Sequence, residues 1–336
     1  MEMRTLGDTG LLISSFCLGT ATFGGKGEFK KSGEIGQKEA DSIVGSAMDS
    51  GINFFNTAEI YSDGLSETIL GKALGRRRHE AIVISKIHPG INIKNFGKGY
   101  SRKRIIESCE TSLKRLGTDY IDIYQLHMFD ETTPLEVTIE ALNSLIQDGK
   151  VRHIGCSNFT GFQLMKALAV SRKNGWAEFL TNESMYSLAA RWVEFELVPA
   201  CIDQHVAMLS YSPLHGGLLS GKYREGRPWP TGTRFNDASD TGPWVFDENH
   251  LYRIVNELGS VAEQYNVTAA SVALRYLLNK PSVCSLIIGV RTLQQLKENL
   301  KAMEFSLSAD DFERLDAISR PIRQYPYYVY DPIKEE

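Results

Sequence analysis

Eight short runs rich in apolar, β-branched and aromatic residues punctuate the chain, at 15–19, 52–55, 81–85, 121–126, 151–155, 178–181, 206–210 and 285–288. Each is strand length, and amphipathic stretches of helical period separate them at 37–50, 66–75, 101–116, 134–148, 161–174, 191–204 and 268–279. Local punctuation supports these boundaries. Ser66 followed by the acid Glu67 reads as a helix start, Pro134 as a first turn, and Gly51, Gly117, Gly149 and Gly175 stand just past helix ends. Strand and helix alternating eight times, joined by right-handed crossovers, predict a single-domain (β/α)8 barrel spanning residues 1–336. A doubly wound open sheet shares the alternation, but its G-x-G-x-x-G fingerprint does not follow the first strand.

Four segments stand outside the repeat. Residues 3–14, with GDTG in the middle, read as a β-hairpin that could plug the barrel floor. Residues 224–249, rich in Gly, Pro and Trp, read as a long loop after strand seven, and 251–265 as an added helix. The tail from Pro321 shows no regular pattern.

Composition narrows the functional class. A formal net charge of −4 argues against nucleic-acid binding by bulk electrostatics, and the one basic cluster, GRRRH at 75–79, ends a helix where cations are favoured. Five dispersed cysteines (Cys17, Cys109, Cys156, Cys201, Cys284) without a C-x-x-C pair suit a reducing cytosol and neither a disulfide framework nor a zinc site. No window reaches the ~18 apolar residues of a membrane span, and the first residues lack the apolar core of a signal peptide.

In such a barrel the chemistry lies where the strands end, so the informative residues are those closing each apolar run. They are Gly19 and Thr20, Asn56, Lys86, His127, Ser157 and Asn158, Glu183, Tyr211, and Gly289. Taken singly, each has a plain structural role open to it, such as a solvated strand end for Lys86 or a hydrogen-bonded histidine for His127. As a ring around one mouth they form a site. Tyr61, on the loop after strand two, adds a phenol that a neighbouring cation such as Lys86 would make more acidic. His127 could orient a carbonyl oxygen while Tyr61 supplies the proton. Such a set carries no hydride, so a bound cofactor must be the reductant.

These residues sit in motifs that resemble the aldo-keto reductase superfamily from end to end: RTLGDTG at 4–10, LGT at 18–20, GCSNF at 155–159, YSPL at 211–214 and QLKEN at 295–299. The resemblance implies a (β/α)8 barrel that reduces a small-molecule aldehyde or ketone with a nicotinamide cofactor, usually NADPH. It implies Tyr61 as proton donor, Lys86 as its lysine partner and His127 as the substrate-orienting histidine. Ser157, Asn158 and Glu183 would meet the nicotinamide carboxamide, and Tyr211 would stack on the ring. Ser212, Pro213, Leu214 and the segment holding Gly217, Leu218, Ser220 and Lys222 would hold the pyrophosphate, with Arg234 closing over it. Gln295, Glu298 and Asn299 would surround the adenosine. Arg291, beside Gly289, offers bidentate geometry for a 2′-phosphate and so favours NADPH over NADH. Phe23, Phe129, Trp229, Trp244, Tyr327 and Tyr328 are candidates for lining the substrate pocket.

Two positions depart from the family pattern. Asn56 stands where an aspartate normally pairs with the lysine, and Glu183 stands where a glutamine is usual, unless Asn182 takes that place. An amide accepts a hydrogen bond from Lys86 but brings no countercharge, so Lys86 should titrate lower. On that footing turnover is retuned, with a loss of about 10- to 100-fold, and Asn56→Asp should hold or raise it. Similarity to the beta subunits of voltage-gated potassium channels leaves open a cofactor-binding regulatory protein with little turnover. A ketosugar reductase, or a dehydrogenase running toward oxidation, is a third possibility.

Overall fold

The computed structural model describes residues 1–91, 98–235, 244–245 and 247–329. Its centre is a closed barrel of eight parallel strands. In chain order they are β3 (Phe16–Gly19), β4 (Phe54–Asn56), β5 (Ile82–Ile87), β6 (Ile121–Leu126), β7 (Val151–Ser157), β8 (Phe179–Met185), β9 (Ala207–Tyr211) and β10 (Val283–Gly289). The barrel shuts where β10 pairs with β3, Gly289 beside Gly19. Helices α1 (Gln37–Asp49), α2 (Leu65–Leu74), α3 (Arg102–Leu116), α4 (Leu135–Gln147), α5 (Gly161–Asn174), α6 (Leu197–Asp203), α7 (Glu248–Tyr265) and α8 (Ala269–Leu278) follow in sequence, and Ile43, Leu70, Ile105, Leu142 and Leu164 lie in the apolar layer between helices and strands. Gly51, Gly117, Gly149 and Gly175 all take positive φ, so each helix before them stops at a residue without a Cβ to strain.

The hairpin is present as β1 (Met3–Thr5) paired antiparallel with β2 (Leu12–Ser14). Leu6, from its turn, is fully buried among Cys17, Phe54, Ile84, Ile123 and Leu209, which makes it the floor plug. Above that floor the inward positions change character within single strands. Because side chains alternate across a strand, Phe54 and Asn56 share a face, as do Ile84 and Lys86, and Ile123 and Gln125. The barrel is therefore apolar at its N-terminal end and polar toward the C-terminal mouth.

Some boundaries differ from the sequence reading. Ser66 does not open α2; Gly64 does, at φ 82°, while the Ser66 hydroxyl donates to the Thr20 carbonyl. Pro134 precedes the first turn of α4 as its cap residue. The stretch 191–204 is a short 3-10 turn, Trp192–Glu194, followed by α6, and it folds around a buried Arg191 held by Glu194 and Asp316. Two helices, α9 (Leu293–Leu300) and α10 (Ala309–Ser319), close the chain after β10. Residues 236–243 and 246 of the long loop lie outside the described residues.

Candidate active site

Three strand ends and one loop build the centre of the mouth. Asn56 closes β4, Lys86 lies near the end of β5, Glu183 lies within β8, and Tyr61 sits on the loop after β4. Lys86 is completely buried, and its Nζ donates to Asn56 Oδ1 at 2.6 Å and to Glu183 Oε2 at 3.1 Å. Asn56 Nδ2 donates to the same Glu183 oxygen at 2.7 Å. Amide, ammonium and carboxylate thus form a closed triangle.

That triangle revises the expectation for position 56. Asn56 brings no charge, yet Lys86 does not lack a counterion, because Glu183 supplies one from the far side of the barrel. Burial still pushes the Lys86 ammonium below its ordinary range, and the Glu183 carboxylate pulls it back up. Removing either partner of such a pair strands a buried charge, at a cost of about 3–5 kcal/mol.

The Tyr61 ring stands 5.3 Å from Lys86 Nζ and 5.8 Å, edge-on, from the His127 imidazole. Burial, then the Glu183 carboxylate, holds the Tyr61 phenol well above its usual range, the reverse of the acidification expected from Lys86. His127 is held well below the usual histidine range by burial and by the neighbouring Lys86 and His88, so its ring is neutral. Its Nδ1 is buried without a hydrogen-bond partner. A neutral ring carrying its proton on Nε2 leaves only a lone pair there and turns its donor away from that blocked side.

Two side chains beside this set escaped the sequence reading. His88 packs edge-on against His127 at 5.2 Å, and Phe29 packs against Tyr61 at 4.8 Å. His88 lies two residues beyond Lys86, so a strand-exit scan carried further would have reached it. Phe29 lies on a short 3-10 helix, Gly27–Lys31, between β3 and α1, with no such signal. The loop bearing Tyr61 is tied down by Glu59, whose carboxylate accepts from the Arg104 guanidinium at 2.6 and 3.3 Å and from the His88 amide at 2.7 Å.

The other predicted residues divide into groups. Ser157 is buried, and Asn158, at φ 57°, donates to the His127 carbonyl and to Ser157 while accepting from the Tyr211 hydroxyl at 2.9 Å. Thr20 is fully buried, its hydroxyl turned to the Asn56 carbonyl and to Ser66, so it underpins β4. Gly19 packs so closely on Ile287 that an added Cβ would sit 2.8 Å away. After β9, Ser212 takes positive φ, Pro213 is buried and Leu214 packs on the core. The following turn holds Gly217 at φ 99°, buried Leu218, and Ser220 donating to the Gly217 carbonyl.

Lys222, Arg234 and Arg291 cluster near this turn. Burial, then Arg291, depresses both Lys222 and Arg234. Arg234 lies 4.9 Å over the Trp244 ring, and no carboxylate among the described residues is ion-paired with any of the three. Arg291 differs from expectation in that its guanidinium already binds backbone: the Ser32 carbonyl at 2.9 Å, Lys31 at 2.5 Å and Gly232 at 3.4 Å. It therefore fastens the loop after β3 and the long loop to the end of β10. Gln295 caps it by accepting from the Arg291 amide, Glu298 accepts from Gln294, and Asn299 is buried in α9. Gly289 is exposed at the rim. Uncompensated cations beside glycines of positive φ fit a dinucleotide phosphate.

Among the proposed pocket aromatics, Phe23 is fully buried in the core and does not face the mouth. Phe129 packs on Phe159, Trp229 on Tyr223, and Trp244 on His215. Tyr327 stacks on Phe195 and donates to Glu196 at 2.6 Å, while Tyr328 is exposed.

Tyrosine, lysine and histidine are thus gathered at the mouth of a closed barrel, with a cationic glycine-rich turn beside them. The model of the Aldo/keto reductase family matches residues 15–320, and the chain belongs to that family. It is 36% identical to the uncharacterized oxidoreductase YrpG of Bacillus subtilis, over 95% of this chain and 96% of that one. It is 33% identical to a probable voltage-gated potassium channel subunit beta of Arabidopsis thaliana (90% and 92% covered), and 28% identical to versiconal hemiacetal acetate reductase of Aspergillus parasiticus (94% and 96%). Among solved structures it resembles the thermostable aldo-keto reductase Tm1743 in complex with epalrestat, with a TM-score of 0.75 and 27% identity over 95% of this chain and all of that one.

Proposed function

We propose that the protein reduces an aldehyde or ketone to an alcohol with NADPH. The observation that supports this most is the convergence of buried Tyr61 and Lys86 with half-buried His127, from the ends of β5 and β6 and the loop after β4, into one packed group. The nicotinamide cofactor supplies the hydride when bound. His127 Nε2 donates to the carbonyl oxygen and fixes its position, and Tyr61 gives its proton to that oxygen as negative charge develops there. The high affinity of Tyr61 for its proton keeps the donor loaded, and an alkoxide is a strong enough base to take it. Lys86 places a positive charge beside the phenol as the proton leaves. Lys222 and Arg234 would hold the cofactor phosphates, with Arg291 adding positive charge beside them while it fastens the loops, and the ring of Tyr211 would face the nicotinamide.

The test is consumption of NADPH, followed by the loss of reduced-nicotinamide absorbance, when the purified protein meets a panel of aldehydes, ketones and ketosugars. Turnover of at least one carbonyl, lowered about 1000-fold in Tyr61→Phe, is expected. Tight NADPH binding with no turnover on any carbonyl would favour the second reading, a cofactor-binding regulatory protein, which draws on the similarity to the potassium channel beta subunits.

A further inference from the structure

The two departures from the family pattern meet in space. Position 56 exchanges an acid for an amide, position 183 carries an acid where an amide is usual, and the two side chains touch at 2.7 Å with Lys86 between them. We infer that the carboxylate serving Lys86 has moved across the barrel, making Glu183 its counterion and Asn56 a neutral bridge whose amide is oriented by the two charges.

The geometry admits one arrangement. Asn56 Oδ1 must face the ammonium, which only donates, and Nδ2 must face the carboxylate, which only accepts. An acid at 56 together with an amide at 183 would keep the volume and the net charge, provided the amide turns its nitrogen to the acid and its oxygen to Lys86, dividing between two atoms the contacts that one Glu183 oxygen now accepts. An acid at both positions would set two carboxylate oxygens against each other where Asn56 Nδ2 now donates, with one lysine to compensate both. Amides at both would leave Lys86 buried with no anion. The pair is therefore coupled: either single exchange is damaging and the double exchange is tolerated. This reverses the expectation that Asn56→Asp holds or raises turnover. The fully buried Cys17 thiol, raised by burial and by Glu183 and lowered by Lys86, lies beneath the same charges and stays protonated.

Glu183 thereby acts as a positioning residue for Lys86, an inference that rests on the proposed reductase chemistry only for its kinetic consequence. Its test is a four-protein cycle of wild type, Asn56→Asp, Glu183→Gln and the double variant. Thermal midpoints of the cofactor-free proteins and pH profiles of kcat/KM for a reduced carbonyl are the readouts. Each single variant is expected to lose about 5 °C or more and about 10- to 100-fold in kcat/KM. The double variant should return to within about 2 °C and threefold of wild type. Additive losses would overturn the inference. So would Glu183→Gln weakening NADPH binding without moving the midpoint of the free protein, since that pattern belongs to a carboxamide contact alone. If no carbonyl is turned over, the proposed function fails while the midpoints still decide the coupling.

Discussion

Two cationic groups sit within one mouth, and they are handled in opposite ways. Lys86 is sealed from solvent and carries its own carboxylate in Glu183. Lys222, Arg234 and Arg291 are partly open and have no carboxylate partner among the described residues, and burial, then Arg291, depresses Lys222 and Arg234. A charge compensated from within is fixed in place and holds the local proton inventory; a cluster left uncompensated is stabilised by an anion arriving from outside. The first is machinery, the second a dock.

Removing the proton donor should have the largest effect and leave the dock alone. Tyr61→Phe is expected to lower kcat/KM for carbonyl reduction about 1000-fold while NADPH affinity, measured by fluorescence titration, changes little. A parallel loss of affinity would mean that the two groups are not separable. Next, Arg234→Ala should weaken NADPH binding by about 10- to 100-fold, the worth of a hydrogen bond to a charged group, with kcat at saturating cofactor largely retained. An unchanged Kd would remove Arg234 from the dock.

Titration separates the same regions. Tyr61 retains its proton above pH 10, whereas buried Lys86 loses its own below 10.5, so the alkaline limb of kcat/KM should report Lys86 and survive in variants that alter the phosphate cluster. On the acid side, His127, and with it His88, His153, His215 and His250, is depressed by burial. Below pH 6.5 the unfolded chain then binds protons that the folded chain refuses. The thermal midpoint should therefore fall as pH drops from 7 to 5, and a rise would contradict those neutral rings. Smallest is the effect of salt. Raising ionic strength from 0.05 to 0.5 M, about a threefold shortening of the screening length, should loosen NADPH binding several-fold and leave the Lys86–Glu183 pair untouched. Equal sensitivity in the midpoint of the free protein would break the distinction.

The barrel was legible in the sequence because each strand is a compact apolar run and each helix ends at a glycine or a polar cap. The mouth residues were legible because polar side chains interrupt those runs near their ends. What the chain order hid was partnership: residues 56, 86 and 183 are neighbours only once the barrel closes, so a position read alone as a missing charge proves to be half of an exchange. Arg291 was hidden in a similar way, since its backbone acceptors lie at the end of a short 3-10 helix (31 and 32) and on the long loop (232), none with a periodic signal. Phe23 misled because an aromatic next to a strand exit can turn inward as easily as toward the mouth.

The most direct measurement is the titration of the Lys86 side chain by carbon-13 NMR in the cofactor-free protein, its resonance assigned by loss in Lys86→Met. In wild type it should titrate below the ordinary lysine range, and in Glu183→Gln the transition should move lower still. Superimposable curves in the two proteins would show that Glu183 is not the counterion of Lys86.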